Sequence, residues 1–435
     1  MTHVGLLCPA ASGHLNPMTT LGHALRQRGH RVTLVSIADG RARALAAGLE
    51  FAPIGAAEYP EGSTRALFAR LGELSGPAAF RATVEHFQRS TGVILRDTPP
   101  LLRQLGVEAL LIDQTSFGGA SIAQALDLPF VSVSCALLLN PDPDVPPVNT
   151  GWAYSPRRLA RLRNRLGYAL LGRLSRPITG IVLDYRRAMG LPELRDPSQA
   201  WSPLLQICQQ PAELEYPRQT LPDCLHFTGP LSDPASREPQ DFPWDQLTGQ
   251  PLIYASLGTI QNRQLGLFQT IASACRDLDA QLVIGLGGGC RPEDLAELPG
   301  SARTRSPLVV GNAPQLQLLA RATLTITHAG LNTVLESLGQ GLPMVAIPIA
   351  NDQPGVAARV AWSGSGAVVP LRRLSEPRLR QSINQVLSEN RFRDNALRLQ
   401  RAIQQSGGVQ RAADLVEQAI AMGRPVLREP LAARI

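Results

Sequence analysis

The chain has 435 residues, of which 44% are hydrophobic and 5% aromatic, and its formal net charge is +7. This hydrophobic content supports sizeable buried cores and excludes an intrinsically disordered chain. The low aromatic content argues against a stacking platform for single-stranded nucleic acid. The length predicts two domains, or three. All positive side chains are arginines, which reflects either genome composition or a preference for anionic partners.

The six cysteines form no CxxC pair and match no zinc spacing, so we expect reduced, buried cysteines and no metal site. The beginning of the chain lacks the basic and apolar regions of a signal peptide. No apolar stretch is long enough for a transmembrane helix. The sequence therefore predicts a cytoplasmic protein, and it leaves open a peripheral association with the inner face of the membrane.

The first part of the chain alternates between strand and helix patterns. Strands are predicted for HVGLLCP, RVTLVSI, ALLIDQ and LPFVSVS. Between them, the turn-rich segment ASGHLNP predicts a loop, and helices are predicted from Met18 to about Arg28 and from Ser116 to Leu126. Parallel strands joined by helices predict a doubly wound sheet.

Two stretches, 60–100 and 150–195, interrupt this alternation and are predicted to be amphipathic helices. The second contains RRLARLRNRLGYALLGRLSR, which is rich in arginine and leucine. Such helices line an acceptor site, lie on an anionic bilayer, or simply present a solvated face, and the sequence leaves all three interpretations open.

A segment dense in Pro, Gly, Ser and Asp predicts a domain boundary. After it, the alternation restarts with a strand at LIYASLG and a helix predicted over Leu265–Leu278. We predict an amino-terminal domain over 1–235, a linker over 236–250, a carboxy-terminal domain over 251–410 and a terminal helix or tail over 411–435 that returns to the first domain. The fold class is α/β, with two Rossmann-like doubly wound domains facing a central cleft. In such sheets, ligands bind at the carboxyl ends of the strands.

The segment LTITHAGLNTVLESLGQG predicts an anion site in the second domain. A strand ends at Thr327, a tight turn follows at His328-Ala-Gly330, and a helix begins at once, so that free N–H groups face an incoming phosphate. His328, Asn332 and Thr333 could then donate to phosphate oxygens. Glu336, on the same face, could accept from a ribose. The alternative is an ordinary strand–helix unit with polar residues at the helix start.

Three further positions follow predicted strands. Ser256-Leu-Gly258-Thr259 forms a small turn that is suited to a second phosphate contact. His14 follows the first strand and is a candidate general base, while Asp113 ends a later strand and could orient that imidazole. For both residues, capping of a helix or turn is the alternative interpretation.

About forty residues in the second half resemble the donor signature of UDP-glucuronosyltransferases and plant glucosyltransferases. The resemblance implies a GT-B fold and an inverting, UDP-sugar-dependent transferase with His14 as the base and Asp113 as its partner. It also implies that four groups of residues in the second domain contact the donor. They are the turn after the first strand of that domain (Ser256, Gly258, Thr259), the loop on the uracil side (Ala313, Gln315), the phosphate turn and following helix (His328, Gly330, Asn332, Thr333, Glu336) and the pair that holds the sugar (Asp352, Gln353). Asn312 stands where plant members have a tryptophan that stacks on uracil, so base recognition would rest on Ala313–Gln315.

Three further segments are YASLGTIQNRQLGLFQTIASAC, GGASIAQALDLPFVSVSCAL and DQPGVAARV. They resemble bacterial zeaxanthin glucosyltransferases, and the similarity spans most of the chain, although it is weakest in the segments 60–100 and 150–195. The resemblance implies transfer of glucose from UDP-glucose, a co-substrate, to a hydroxyl of a carotenoid, with no metal and no other cofactor. It implies no nucleic-acid partner. The alternatives are a polyketide, sterol or flavonoid acceptor, a catalytically silent partner protein, and a nucleotide-sugar epimerase.

Overall fold

The computed structural model describes residues 1–74, 76–194, 196–233, 240–260, 262–295, 298 and 306–428. Seven parallel strands of the first half form one sheet, in the order β3-β2-β1-β4-β5-β6-β7. These strands are β1 (His3–Leu7), β2 (Arg31–Ser36), β3 (Glu50–Pro53), β4 (Ala109–Asp113), β5 (Phe130–Ser134), β6 (Gln206–Cys208) and β7 (Leu225–Phe227).

Six parallel strands of the second half form another sheet, in the order β10-β9-β8-β11-β12-β13. Both sheets reverse their strand order beside the first strand, which is where doubly wound sheets bind ligands. The strands are β8 (Leu252–Ser256), β9 (Gln281–Gly285), β10 (Leu308–Val310), β11 (Ala322–Thr327), β12 (Met344–Ala346) and β13 (Gly366–Val368).

Fourteen α-helices within the described ranges cover the two sheets, and none of them is both long and apolar enough to cross a bilayer. They are α1 (Ser12–Gln27), α2 (Arg41–Ala46), α3 (Ser63–Glu73), α4 (Gly76–Leu105), α5 (Gly119–Ala125), α6 (Arg158–Leu174), α7 (Arg176–Ala188), α8 (Leu265–Cys275), α9 (Gln315–Leu319), α10 (Leu331–Gly339), α11 (Gln353–Ser363), α12 (Glu376–Ser388), α13 (Asn390–Gln405) and α14 (Gly408–Met422).

Each sheet is buried on both faces, as hydrophobic parallel strands require. On the first sheet, α1 and α14 share one apolar cluster, while α4, α5 and α7 pack on the opposite face. On the second sheet, α8 and α12 cover one face, and α10, α11 and α13 cover the other.

The chain returns to the first sheet through α14, where Val409 and Val416 are buried in the cluster of α1. The Arg28 guanidinium donates to the Glu417 carboxylate over 2.8 Å. The His226 imidazole contacts the Val426 carbonyl over 2.9 Å. Residues 429–435 of the predicted tail and 236–239 of the predicted linker lie outside the described residues.

The start of α1 differs from the sequence prediction, which placed a loop up to Pro17 and a helix from Met18. The helix begins at Ser12, with the backbone amides of His14 and Leu15 bonded to the Ala11 carbonyl. Proline suggests a break because it lacks an N–H and would leave the Gly13 carbonyl, four residues earlier, without its helical partner. The helix tolerates Pro17 because the Gly13 carbonyl accepts from the Asn332 side chain instead.

Two other helix bounds were also wrong. The helix predicted from Ser116 begins only at Gly119, because Gly118 has a φ of +90° and the Ser116 amide closes a turn on the Asp113 carbonyl. The helix predicted to run to Leu278 ends at Cys275. Both bounds were predicted from hydrophobic periodicity, which does not indicate where a helix end frays or where a tight turn precedes a helix.

A buried ion pair joins the two halves of the molecule. Glu215, in the first half, accepts from Arg359 of α11 over 2.5 Å, and the Arg218 guanidinium lies 3.6 Å away. Burial would raise the pKa of Glu215, but the two guanidinium groups hold it below its usual value. Arg359 also lies over the Tyr216 ring, whose edge packs against Trp362. Glu215, Arg218 and Arg359 therefore form a buried triad of charges that holds the two halves of the molecule together.

We expect Glu215→Gln to lower the free energy of unfolding by about 3–5 kcal/mol, because two buried guanidinium groups would lose their counter-charge. Urea denaturation measures the change. Glu389→Gln is the matched control, since its ion pair with Arg391 is exposed and such pairs contribute little. Equal stability of the two variants would contradict a structural role for the triad.

Candidate active site

His14 lies in the first turn of α1, where that helix emerges from the carboxyl end of β1. We predicted that His14 lies on a loop at the edge of the sheet. It does lie at that edge, but it is part of a helix. The side chain is 20% exposed, and its Nδ1 lies 2.9 Å from Oδ2 of Asp113. Because Nδ1 binds a carboxylate, Nε2 is the nitrogen that can accept a proton.

Asp113 ends β4, which pairs directly with β1, so the fold places the carboxylate beside His14. It is 1% exposed and accepts from the Thr115 amide over 2.8 Å, from the Thr115 hydroxyl and from the Cys135 thiol. Burial alone would raise the pKa of Asp113. The His14 imidazole and the three donors instead hold that pKa below its usual value, so the carboxylate is charged.

The charge of Asp113 acts back on the imidazole. Burial would lower the pKa of His14, but the neighbouring charge and hydrogen bond of Asp113, together with the more distant charge of Asp352, raise it above 6.5. An imidazole with this environment accepts a proton readily and is held in one tautomer.

His14, Asp113 and Cys135 place one ligand atom each within 4.8 Å of one another, a spacing that a metal ion could also use. Burial and the Asp113 charge raise the pKa of the Cys135 thiol well above its usual value. In this arrangement the thiol is protonated and donates to Asp113.

On the opposite side of the cleft, β11 ends at Thr327 and α10 begins at Leu331, with Gly330 as its N-cap. Ala329 has a φ of +66°, which turns the chain sharply between strand and helix. The first amides of α10, up to that of Thr333, have no partner within the helix and carry its positive dipole end. The predicted anion site is thus a helix N-terminus at the carboxyl edge of the second sheet.

His328 is packed between the turn that contains Gly258 and the turn that contains Gly330. A Cβ on Gly258 would lie 2.6 Å from its ring, and one on Gly330 would lie 2.5 Å from Nε2. Burial lowers the pKa of His328 to about 4, although a hydrogen bond with the Ser256 backbone opposes the shift. Its Nδ1 is buried without a hydrogen-bond partner among the described residues. The ring is neutral and retains one atom for a ligand.

The turn after β8 is supported by a residue that the sequence did not reveal. Asn262 donates to the carbonyls of Gly258, Leu286 and Gly287 over 3.0, 2.9 and 2.9 Å. A Cβ on Gly287 would lie 2.1 Å from the Gly258 carbonyl oxygen, so only glycine permits this approach. The glycine-rich segment after β9 therefore supports the turn that carries Thr259, which is exposed.

Gln315 and Glu336, which were predicted to lie on the uracil side and the ribose side, contact each other. The Gln315 amide donates to the Glu336 carboxylate over 2.5 Å and lies 3.5 Å from the Thr333 hydroxyl. Ala313 is half-buried at the start of this segment, beside the end of β9. The structure thus brings four predicted donor residues to one side of α10.

Asn332 makes contacts that the sequence did not predict. Its amide donates to the Gly13 carbonyl over 3.0 Å and accepts from Gln209 over 2.8 Å. Gly13 O is the acceptor that Pro17 leaves without a helical N–H. The side chain predicted to face phosphate is therefore occupied with the first domain, and it ties α10 to the helix that carries His14.

The predicted sugar pair begins α11. Asp352 accepts from the Leu137 amide of the first domain over 3.2 Å, and burial raises its pKa while its proximity to His14 acts in the opposite direction. The side-chain Oε1 of Gln353 accepts from the backbone amides of Ile349 and Ala350 over 2.8 and 3.0 Å. Asp352 thus lies in the cleft near His14, whereas Gln353 is buried and shapes the preceding loop.

Thr115, Cys135 and Gln209 were not identified from the sequence. Each lies just after the end of a parallel strand. Thr115 is two residues after β4, and Cys135 and Gln209 directly follow β5 and β6. Polar residues just after strand ends are the available signal, but their type matches no motif. Cys135 and Gln209 contact distant parts of the chain, whereas Thr115 contacts Asp113 two residues earlier.

We expect the two histidines of the cleft to titrate on opposite sides of pH 6.5. His328 should remain neutral down to about pH 4 because it is buried without a counter-charge, whereas Asp113 should keep His14 protonated above pH 6.5. An NMR titration of the ring protons measures both midpoints, and His14→Gln and His328→Gln assign the signals. A His328 midpoint at or above 6.5 would contradict this environment.

The family described as UDP-glucoronosyl and UDP-glucosyl transferase matches residues 192–407. A zeaxanthin glucosyltransferase of Pantoea ananas is 33% identical over 98% of this chain and 98% of its own length. One of Pseudescherichia vulneris is 32% identical over 97% of this chain and 98% of its own.

Among solved structures, the calicheamicin glycosyltransferase CalG4 aligns with a TM-score of 0.75 at 23% identity, covering 98% of this chain and 100% of its own. This likeness shows the fold, which is GT-B as predicted. The full-length relatives show the family as well. The chain belongs to the UDP-glucuronosyl and UDP-glucosyl transferase family and is a UDP-glycosyltransferase.

Proposed function

We propose that this enzyme transfers glucose from UDP-glucose, with inversion, to a hydroxyl of a hydrophobic acceptor, a carotenoid of the zeaxanthin kind. The observation that carries the proposal is the His14–Asp113 pair on one side of the cleft, tied through Gly13 and Asn332 to the start of α10 on the other. A base and an anion site held together in this way suit a single displacement. The names of the two full-length relatives support the sugar and the acceptor.

In the proposed reaction, Nε2 of His14 removes the proton from the acceptor hydroxyl. The hydroxyl oxygen attacks the anomeric carbon from the face opposite the diphosphate, and the bond from that carbon to the diphosphate oxygen breaks. Asp113 stabilises the imidazolium that forms, because its carboxylate is charged and hydrogen-bonded to Nδ1. UDP leaves with the bonding electron pair.

The leaving diphosphate would lie against the first amides of α10, beside the His328 ring. These groups are held in place before the reaction, which is what makes electrostatic stabilisation effective. Glu336 and Gln315 would face the ribose and uracil, and Asp352 the sugar hydroxyls. In this scheme no metal or other cofactor takes part.

A hydrophobic acceptor agrees with the surroundings of Asp113. Phe117 follows four residues later, and its ring packs edge-on against Phe87 of α4 at 5.2 Å. Both rings are half-buried, so an apolar ring pair lies shortly after the strand that ends at Asp113. A lipophilic acceptor resides in a bilayer, so we also propose a cytoplasmic enzyme that associates peripherally with the membrane.

Incubation with UDP-glucose and zeaxanthin, read by mass, tests the proposal. We expect hexose increments on the carotenoid, and a loss of about 10²–10⁴ in rate for His14→Ala, the usual contribution of general base catalysis. His23→Ala, on the same helix, is the control and should retain activity. Transfer only to polyketide, sterol or flavonoid acceptors would overturn the carotenoid assignment, and near wild-type turnover of His14→Ala would overturn the base.

Asn332 has a positioning role in this scheme. Its contact with Gly13 holds α1, and with it His14, against the start of α10. Gln209 fixes the orientation of the same amide. The contact depends on Pro17, because an N–H at that position would compete for the Gly13 carbonyl.

We expect Asn332→Ala to lower kcat about three- to tenfold, the value of one hydrogen bond, with little change in UDP affinity. Pro17→Ala should lower kcat in the same direction and yet raise thermal stability, because it adds a bond within α1 and removes a helix-interior proline. Steady-state kinetics, UDP calorimetry and thermal unfolding measure the three quantities.

If Asn332 instead binds phosphate, its alanine variant should lose UDP affinity while Pro17→Ala behaves like the wild type. Gln209→Ala provides a third comparison, since it removes a partner of Asn332 without touching the donor side. Its kcat should move with that of Asn332→Ala.

A further inference from the structure

The α6 helix presents a row of uncovered leucines to solvent. Leu159, Leu162, Leu166, Leu170 and Leu174 are 79%, 54%, 63%, 58% and 45% exposed. Their spacing of three or four residues places them on one face of the helix. The row extends over about 22 Å, which makes it an apolar strip rather than scattered surface leucines. We call these five residues the leucine face.

Arginines surround the leucine face, and α6 contains no acidic residue. Arg158, Arg161 and Arg165 lie along one flank, while Arg163 and Arg173 lie among the leucines. Arg161 is paired with Asp144, and Arg163 lies over the Trp152 ring. An exposed apolar face with a uniformly cationic border is typical of a helix that lies in the interface of an anionic membrane.

The opposite face of α6 is fixed to the body of the protein. Asn164 is buried and donates to the Pro143 carbonyl over 3.0 Å. Gly167 lies so close to Trp152 that a Cβ there would come within 2.9 Å of the indole. The leucine face is therefore presented on a rigid helix, and its exposure does not result from a poorly packed segment.

The segment under α6 also reaches the cleft. At its beginning, the Leu137 amide donates to Asp352. Further along, the Val148 carbonyl packs against Gly355 of α11 so closely that a Cβ would lie 2.2 Å away. One continuous segment thus connects the base of α6 with the mouth of the site.

We infer that the leucine face rests on an anionic lipid bilayer and holds the cleft at the membrane surface. This inference deepens the proposed membrane association by naming its surface. A second copy of the chain is a poorer occupant, because two identical α6 helices would bring their arginines together with no acidic residue on either helix. A bilayer accepts both the leucines and the arginines, whose long side chains reach the headgroups.

Sedimentation of the full chain with vesicles tests this inference without any donor or acceptor, so its result does not depend on the proposed reaction. We expect binding to vesicles of phosphatidylglycerol and phosphatidylcholine and much weaker binding to phosphatidylcholine alone. The double variant Leu162→Gln/Leu166→Gln should bind at least about tenfold more weakly. Arg158→Gln/Arg165→Gln should lose about fivefold per arginine.

Leu45→Gln/Leu387→Gln is the matched control, because these leucines are 57% and 42% exposed but lie on other helices. It should bind vesicles like the wild type. Equal binding by the α6 variant and the control would overturn the inference, as would a lack of binding to both kinds of vesicle. Concentration-dependent dimerisation that Leu162→Gln/Leu166→Gln abolishes would assign the face to a second copy instead.

Discussion

The hydrogen bond from Asn332 to the Gly13 carbonyl brings together the two halves of the site, which lie more than three hundred residues apart in the chain. It exists because Pro17 cannot donate within α1, so a defect in one helix becomes the acceptor for the other. The N-termini of α1 and α10 thereby meet at the cleft. Both carry a positive dipole end, so their approach creates a region suited to a diphosphate.

This positive region gives the two histidines different chemistry. At a helix N-terminus, an imidazole is disfavoured as a cation, and burial adds to that effect. His328 has no carboxylate to oppose this effect and stays neutral. Asp113 reverses the effect for His14, whose pKa it raises. The position of one buried carboxylate therefore distinguishes the proposed base from the second histidine of the cleft.

Most of the fold was predictable because both sheets consist of hydrophobic strands alternating with helices. The location of most candidate residues was predictable as well, since Asp113 and Ser256 end strands, and His14 and His328 lie in segments that follow strands and resemble family motifs. The start of α1 was not, because the donor to its unpaired Gly13 carbonyl, the Asn332 amide, lies in the other domain. Gln209 was missed for the same reason, since its partner Asn332 is distant in the chain. Asn262 was missed because it joins the nearby Gly258 to Leu286 and Gly287, which are more than twenty residues away.

The donor side and the acceptor side are built on different physical principles. The donor residues lie in tight turns where a Cβ on Gly258, Gly287 or Gly330 would collide, so the sequence there has little freedom and resembles the family closely. The acceptor side consists of helices that need only an apolar surface of suitable width, which many sequences provide. An amphipathic helix such as α6 can therefore acquire a second surface for lipid without disturbing the diphosphate site. Through the segment from Leu137, whose amide donates to Asp352, α6 is connected to the cleft that contains His14.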